Sequence, residues 1–281
     1  MPDVPDRPDT FYGAAVGRRV TMRDLAQATL RGERWPMITA YDAMTAGIFD
    51  EAGVPALLVG DSAAMVVYGH DSTLPVTVEE LVPLVRAVVR GSKRAVVIAD
   101  LPFGSYQESV AQALHTAAIF MKDGGAHAVK LEGGSFVLPQ VEALAAAGVP
   151  VIGHLGLTPQ SVNLFGGYRV QGRGESGDML IRDAKAMEAA GAAAIVLEVV
   201  PADLAARVSD MLTIPTIGIG AGPGTDAQVI VWQDLCGLTD GPAPRFVKRY
   251  ADLRSTMSEA VGSWAADVAS GTYPAQEHAY A

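Results

Sequence analysis

The chain has 281 residues, 49% hydrophobic and 19% charged, enough apolar material for a large core and too much for a disordered polypeptide. A formal charge of −10 excludes the basic surface that a nucleic-acid binder needs. The one cysteine, Cys236, excludes an intrachain disulfide and suits a reducing compartment.

Residues 1–18 read as a mobile tail rich in Pro, Asp and Arg, without the apolar run of a signal peptide. No run of 18 apolar residues offers a membrane span, so the expectation is a soluble cytoplasmic protein. Residues 19–281 read as one domain, because no linker rich in Pro, Ser or charge divides them. A first helix is predicted after Thr21, which stands three residues before Asp24 as in a capping box. Its apolar face holds Met22, Leu25, Ala26 and Leu30.

From there a unit recurs: a helix ending in Gly, a short apolar run rich in β-branched residues, then a polar or glycine-rich break. The runs are Pro36–Thr39, Ala56–Val59, Ala95–Ala99, Ala128–Leu131, Val149–Gly153, Ala194–Leu197, Thr216–Ile219 and Val229–Val231. Ala52-Gly53-Val54-Pro55, Asp123-Gly124-Gly125-Ala126 and Ala147-Gly148-Val149-Pro150 introduce three of them. Gly just past a helix end takes the left-handed conformation that closes the last turn, and Pro then blocks continuation. Helices are expected over Val78–Arg90, Val110–Lys122, Phe136–Ala146 and Gly177–Ala190, with Pro83 and Pro139 kinking or shortening two of them. Only two or three helical turns fit between the seventh and eighth runs. Arg245–Ser270 is assigned barrel-closing helices, and the polar tail after Tyr273 lies loose or reaches a neighbouring subunit.

Continuously apolar runs suit parallel strands covered on both faces. Eight of them, alternating with helices, predict a single (β/α)₈ barrel of the TIM type with an N-terminal helix and a C-terminal helical extension.

In such a barrel chemistry sits past the C-terminal strand ends. The first polar residues there are Asp42, Asp61, Asp100, Glu132, His154, Glu198, a glycine loop at Gly220, and Asp234. Acids crowded at one mouth repel each other, and a bound cation removes the conflict. Asp61 and Asp100 are the leading ligand candidates, against the alternative that they cap the next turn. Hard oxygen donors with little His and no nearby Cys favour Mg²⁺ over Zn²⁺. Lys130 and Glu132 flank Leu131 and so share one face, as an ion pair or as holders of an anionic oxygen and the metal. Glu198 interrupts an aliphatic run, where burial would raise its pKa toward the range of a general base; the alternative is a partner for a buried cation. His154 binds substrate or holds a loop. Gly218–Gly224 fails the dinucleotide fingerprint because Pro223 takes the place of the third glycine, leaving a phosphate loop or a packing turn. The segment 156–177, with Arg169 and Arg173, reads as a lid or second-substrate surface. Cys236 has no nucleophile signature.

At these residues the sequence resembles the ketopantoate hydroxymethyltransferase family, barrels of the phosphoenolpyruvate/pyruvate type, from Met22 to His278. The resemblance is carried by Thr39-Ala40-Tyr41-Asp42, Val59-Gly60-Asp61-Ser62, Ala99-Asp100-Leu101-Pro102-Phe103, Val129-Lys130-Leu131-Glu132-Gly133-Gly134 and Gly153-His154-Leu155-Gly156-Leu157-Thr158-Pro159-Gln160-Ser161-Val162-Asn163. Val170-Gln171-Gly172-Arg173-Gly174 and Gly218-Ile219-Gly220-Ala221-Gly222 continue it, while Ala227 stands where the family usually has Gly. The resemblance implies transfer of the one-carbon unit of 5,10-methylenetetrahydrofolate to 3-methyl-2-oxobutanoate, an early step toward pantothenate, in a homo-oligomer, commonly a decamer. It implies Asp61, Asp100 and Glu132 around Mg²⁺, an oxo acid held there with Ser62 and Lys130, and Glu198 as base. The alternative is a Mg²⁺-dependent lyase or phosphomutase of the same superfamily, and a silent scaffold barrel is a further one. Such lyases typically place a cysteine at the mouth, and Cys236 lies beyond the eighth run.

Overall fold

The structure, a computed structural model, describes residues 18–280. The expected mobile tail therefore lies outside the described residues, apart from Arg18, which pairs with Asp24 at 2.7 Å. The chain divides into two compact units, one ending at Val231 and one from Trp232 onward.

The first unit alternates helices and strands. It runs α1 (Met22–Leu30), β1 (Trp35–Thr39), α2 (Ala43–Glu51), β2 (Ala56–Val59), α3 (Ala63–Val66), α4 (Val78–Gly91) and β3 (Val96–Asp100). It continues with α5 (Val110–Ile119), β4 (Ala128–Glu132), α6 (Leu138–Ala146), β5 (Val151–Gly156), α7 (Val162–Phe165), α8 (Glu175–Ala189), β6 (Ala194–Glu198), α9 (Ala202–Met211), β7 (Thr216–Ile219) and β8 (Ala227–Ile230). All eight strands pair in parallel in sequence order, and β1 pairs with β8 to close the barrel. The predicted class holds. The second unit holds α10 (Trp232–Leu235) and α11 (Leu253–Ser270). No residue of α11 is buried, and the β1–β8 ladder closes the barrel. No helix of the described residues is long and apolar enough to cross a membrane.

Local chemistry explains most boundaries. Thr21 and Asp24 form the expected capping box, and Thr77 with Glu80 forms a second at α4. The buried face of α1 is Met22, Leu25 and Ala28, whereas Leu30 is 66% exposed, contrary to expectation. Pro83 lies in the second turn of α4 and removes only one backbone bond, so the helix runs on to Gly91. Pro139 does shorten its helix: α6 begins at Leu138, placing Pro139 in the first turn, where a missing N–H costs nothing. Val110–Lys122 is helical, but from Phe120 to Gly124 it widens into a π turn. Gly53, Gly125 and Gly148 have φ of +89°, +79° and +83°, as their introducing phrases demanded. No helix connects β7 and β8; a glycine-rich loop does, and β8 starts two residues before the expected Val229.

Inward residues alternate along each strand. One buried cluster joins Met37, Leu58, Ile98, Ile152, Val196 and Ile217 of the strands to Val20, Met22, Leu25 and Ala28. Thus α1 plugs the N-terminal end of the barrel, and the opposite end is left to polar residues.

The entry to β3 is fixed by Asp50 of α2. Its buried carboxylate accepts from the backbone N–H groups of Lys93 (2.9 Å), Arg94 (3.1 Å) and Ala95 (2.6 Å). Asp50→Ala would strand those donors and should destabilise the fold by about 3 kcal/mol, read as a lower urea midpoint. A midpoint unchanged from the parent chain would show that the clamp contributes little.

Candidate active site

The alternation that builds the core carries straight into the mouth. On β4, Ala128, Lys130 and Glu132 follow one another on the inner face; on β3 Asp100 follows Ile98, on β5 His154 follows Ile152, and on β6 Glu198 follows Val196. Register then sets the neighbours: Asp100 lies opposite Lys130, and Glu132 opposite His154.

A continuous polar network results. Lys130 Nζ lies 2.9 Å from Asp100 Oδ1, 3.2 Å from His154 Nδ1 and 4.0 Å from Glu132 Oε1. His154 spans two acids, with Nδ1 3.3 Å from Glu132 Oε1 and Nε2 3.2 Å from Glu198 Oε2. Asp100 Oδ2 accepts the backbone N–H of Asp61 at 3.0 Å. Gly60 makes this approach possible, since a Cβ there would stand 2.7 Å from Ser62 Oγ and 3.3 Å from Asp100 Oδ2.

Residues that the sequence reading passed over complete the network. Gln160 donates from Nε2 to Asp61 Oδ2 (2.8 Å) and from its backbone N–H to Glu132 Oε2 (2.9 Å). The Tyr106 hydroxyl accepts from Glu132 N (3.0 Å) and donates to Gln160 Oε1 (2.8 Å). Tyr41 shares a 2.8 Å hydrogen bond with Ser62. Tyr41 and Gln160 stand inside motifs that carried the resemblance, but uncharged side chains draw no notice when acids are sought; Tyr106 had no signal.

One expected rim acid is elsewhere. Asp42 is exposed and caps α2, accepting from Met44 N and Thr45 N at 2.8 and 2.9 Å. Asp234 belongs to the second unit and accepts from Thr239 Oγ1 at 2.7 Å. Glu198 was expected to be sealed among aliphatic side chains; instead its side chain is 17% exposed and faces His154. Its backbone shows strain next door: Val199 has φ of +48°, a β-branched residue in the left-handed region. The glycine loop is a packing turn, with Gly224 so close to α9 that a Cβ would stand 2.7 Å from Ala206. The segment 156–177 arches back to the site, where Gln171 N donates to Val199 O (3.0 Å) and the Tyr168 hydroxyl reaches Met65 Sδ (3.8 Å). Cys236 is a half-buried free thiol in the second unit.

The charges do not balance. Burial, then repulsion from Asp100 and Glu132, pushes the Asp61 carboxyl well above the usual range. Burial also raises Asp100, against the pull of Lys130. Glu132 is lowered: burial works upward, but His154, Lys130 and the Gln160 N–H outweigh it. Lys130 stays cationic, because Asp100, Glu132 and Asp61 overcome the cost of its burial. Burial and Lys130 push His154 down, yet Glu132 and Glu198 carry it up to about 9.

A divalent cation fits this imbalance. Asp61 and Asp100 offer adjacent hard oxygen donors with a surplus of negative charge, the chemistry of a Mg²⁺ site. Glu132 is already engaged by His154 and Gln160, and among the described residues no three His, Cys, Asp or Glu side chains converge at ligand spacing. The donor set therefore fits best as the Asp61–Asp100 pair, with Glu132 behind it.

A closed parallel barrel with a charged polar network in its mouth defines an enzyme. Residues 19–276 match the model of the ketopantoate hydroxymethyltransferase family, and the chain belongs to that family. It is 63% identical to a 3-methyl-2-oxobutanoate hydroxymethyltransferase of Frankia casuarinae, covering 99% of this chain and 92% of that one. Identity to the enzyme of the same name from Thermobifida fusca is 61%, over 96% of this chain and 97% of that one. These relatives mark it as a transferase. Among solved structures, a phosphonopyruvate hydrolase complexed with oxalate and Mg²⁺ superposes with a TM-score of 0.60 at 14% identity, over 92% and 93% of the two chains. A 2,3-dimethylmalate lyase of the PEP mutase/isocitrate lyase superfamily gives 0.61 at 17% identity, over 88% and 86%. Both show the fold alone.

Because the His154 pKa of about 9 lies above its ordinary 6.5, the protonated ring contributes stability in full below about pH 6.5 and loses it as pH rises through about 9. The urea midpoint of the protein without added metal should fall across that window, and His154→Gln should flatten the fall. An identical pH slope in the variant would assign the loss to another group.

Proposed function

We propose that this enzyme transfers a hydroxymethyl group from 5,10-methylenetetrahydrofolate to 3-methyl-2-oxobutanoate, giving 2-dehydropantoate for pantothenate synthesis. The observation that carries the reading is the His154–Glu198 pair, at 3.2 Å, on the same inner face as the Asp61–Asp100 carboxylates. The names of relatives more than 60% identical supply the substrate class.

Mg²⁺ held by Asp61 and Asp100, with Glu132 behind them, would supply Lewis-acid polarisation of the oxo acid. Lys130, buried and cationic, binds the substrate's negative oxygen, and Ser62, oriented by Tyr41, adds a hydrogen bond. Asp61, Asp100 and His154 bound the same substrate space. Glu198 takes the proton from C3, and His154 holds the Glu198 carboxylate in place. The resulting carbanion, its charge delocalised onto the oxo oxygen beside Lys130, forms a bond from C3 to the folate methylene as one of the two methylene–nitrogen bonds breaks, and the freed nitrogen takes up the proton held by Glu198. Water then replaces the second nitrogen on that carbon, its hydroxyl going to the methylene and its proton to the nitrogen, which leaves tetrahydrofolate and the hydroxymethyl product.

The lyase or phosphomutase alternative finds no mouth cysteine in the network. A homo-oligomer, by resemblance a decamer, is supported by Met257, Val261, Trp264 and Val268, exposed apolar residues at helical spacing along α11. The cytoplasm suits the single free thiol.

Glu198→Gln should bind the oxo acid and Mg²⁺ nearly as before while C3–H exchange with D₂O, followed by proton NMR, falls by about 10³-fold. Fast exchange in that variant would remove Glu198 as the base. Asp61→Asn and Asp100→Asn should each abolish stimulation of exchange by added Mg²⁺; retained stimulation in both would move the cation elsewhere.

A further inference from the structure

Beside the charged network, on the outer side of the β4 and β5 ends, lies a cleft of about 270 Å³. His154, Leu155 and Gly156 line it, so the strand that carries the imidazole touching Glu132 and Glu198 also borders the cleft. Three apolar side chains from separate elements surround it: Phe136 after β4, Leu164 of α7 and Met179 of α8, with exposures of 63%, 84% and 56%. Apolar groups left in water around one concavity mark a surface built to be covered by a ligand.

Asp183 of α8 supplies the acidic group, alongside the neutral polar residues Thr158, Ser161, Gln171 and Ser176. It lines the cleft, accepts a hydrogen bond from Ser135 N, and is half-buried. A Cβ at Gly134 would collide with its carboxylate, so the chain leaves room for that side chain at this spot. A carboxylate has acceptor capacity for several more N–H groups. It also repels anions, which excludes the oxo acid and the carboxylate tail of a folate. Apolar side chains with one carboxylate and a few neutral polar groups suit a flat heteroaromatic ring that stacks and presents N–H donors at its edge.

We propose that this cleft binds the pterin ring of the folate co-substrate, with Phe136 and Met179 against its faces and Asp183 at its amino-pyrimidine edge. The assignment rests on the proposed function, since it names where that reaction's second substrate sits. It places the one-carbon donor beside His154, the residue whose ring contacts the base Glu198. It also gives the segment 156–177, which carries Leu164, the role of a wall of the second-substrate site.

Phe136→Ala and Asp183→Asn test it. Steady-state kinetics should show KM for 5,10-methylenetetrahydrofolate raised about tenfold in each, the scale of one lost stacking or edge contact. C3–H exchange of the oxo acid without folate should match the parent enzyme. Tetrahydrofolate titrated against the protein without oxo acid gives an independent readout, and weaker binding in both variants supports the cleft. Unchanged KM and unchanged binding in both overturn it, and so does an equal loss of exchange and folate affinity, which would mark general damage to the site. Absence of exchange in the unsubstituted enzyme would instead count against the proposed function, while the titration would still test the cleft.

Discussion

Three carboxylates, Asp61, Asp100 and Glu132, are buried together on the inner face of a closed barrel, with Lys130 and His154 as their cationic company. Removing such charges from water costs several kcal/mol each unless pairing and hydrogen bonds return it. The surroundings look arranged to that end. Gln160 donates to two of the acids, Tyr106 locks Gln160 in place, and the backbone N–H of Asp61 is spent on Asp100. Glu132 gains enough from His154, Lys130 and the Gln160 N–H to sit low, whereas Asp61, buried and repelled by Asp100 and Glu132, sits high. The network is thus satisfied at one end and short of positive charge at the other. The shortfall is where a cation belongs.

The opposite side of the mouth is built by backbone rather than charge. Leu157 N donates to Glu198 O, Val199 N to Ile219 O, and Gln171 N to Val199 O, so the strand end is tied from three directions. Those bonds hold Val199 in a left-handed conformation that a valine avoids, at a cost of about 1–3 kcal/mol. Strain immediately after Glu198 fixes the direction in which that side chain leaves β6. A partly exposed carboxylate held this way stays reachable by substrate, which one sealed among aliphatic groups would not.

Much of this was legible because a parallel barrel strand has a loud signal: Val96–Asp100 and Ala128–Glu132 are apolar runs that end in acid. Alternation then told which side chains share a face, and Lys130 with Glu132 followed directly. The errors have a common cause. Taking the first polar residue past each run ignores whether its position points inward, so Asp42, a helix cap, was read as a rim acid while its neighbour Tyr41 faces the site. Asp234 falls in the second unit because β8 begins and ends earlier than its apolar letters suggest. Gln160 and Tyr106 reach the acids from loops far away in sequence, and no local pattern encodes such a meeting.

Strand register is part of the chemistry. Asp100 meets Lys130, and Glu132 meets His154, because β3, β4 and β5 pair as Ile98 with Ala128 and Val129 with Val151. A slip of one residue would turn every inward side chain of the slipped strand outward. On β4 it would bury Leu131 where Lys130 belongs and leave Asp100 without a counter-charge. The wrong register is therefore penalised twice, by lost apolar packing below and by unpaired buried acids above. The packed layers of Ile98, Ala128 and Ile152 hold the charged layer in alignment, and the charged layer in turn rejects any other alignment of the core. For this reason the catalytic groups can be costly to bury and still help to specify the fold that buries them.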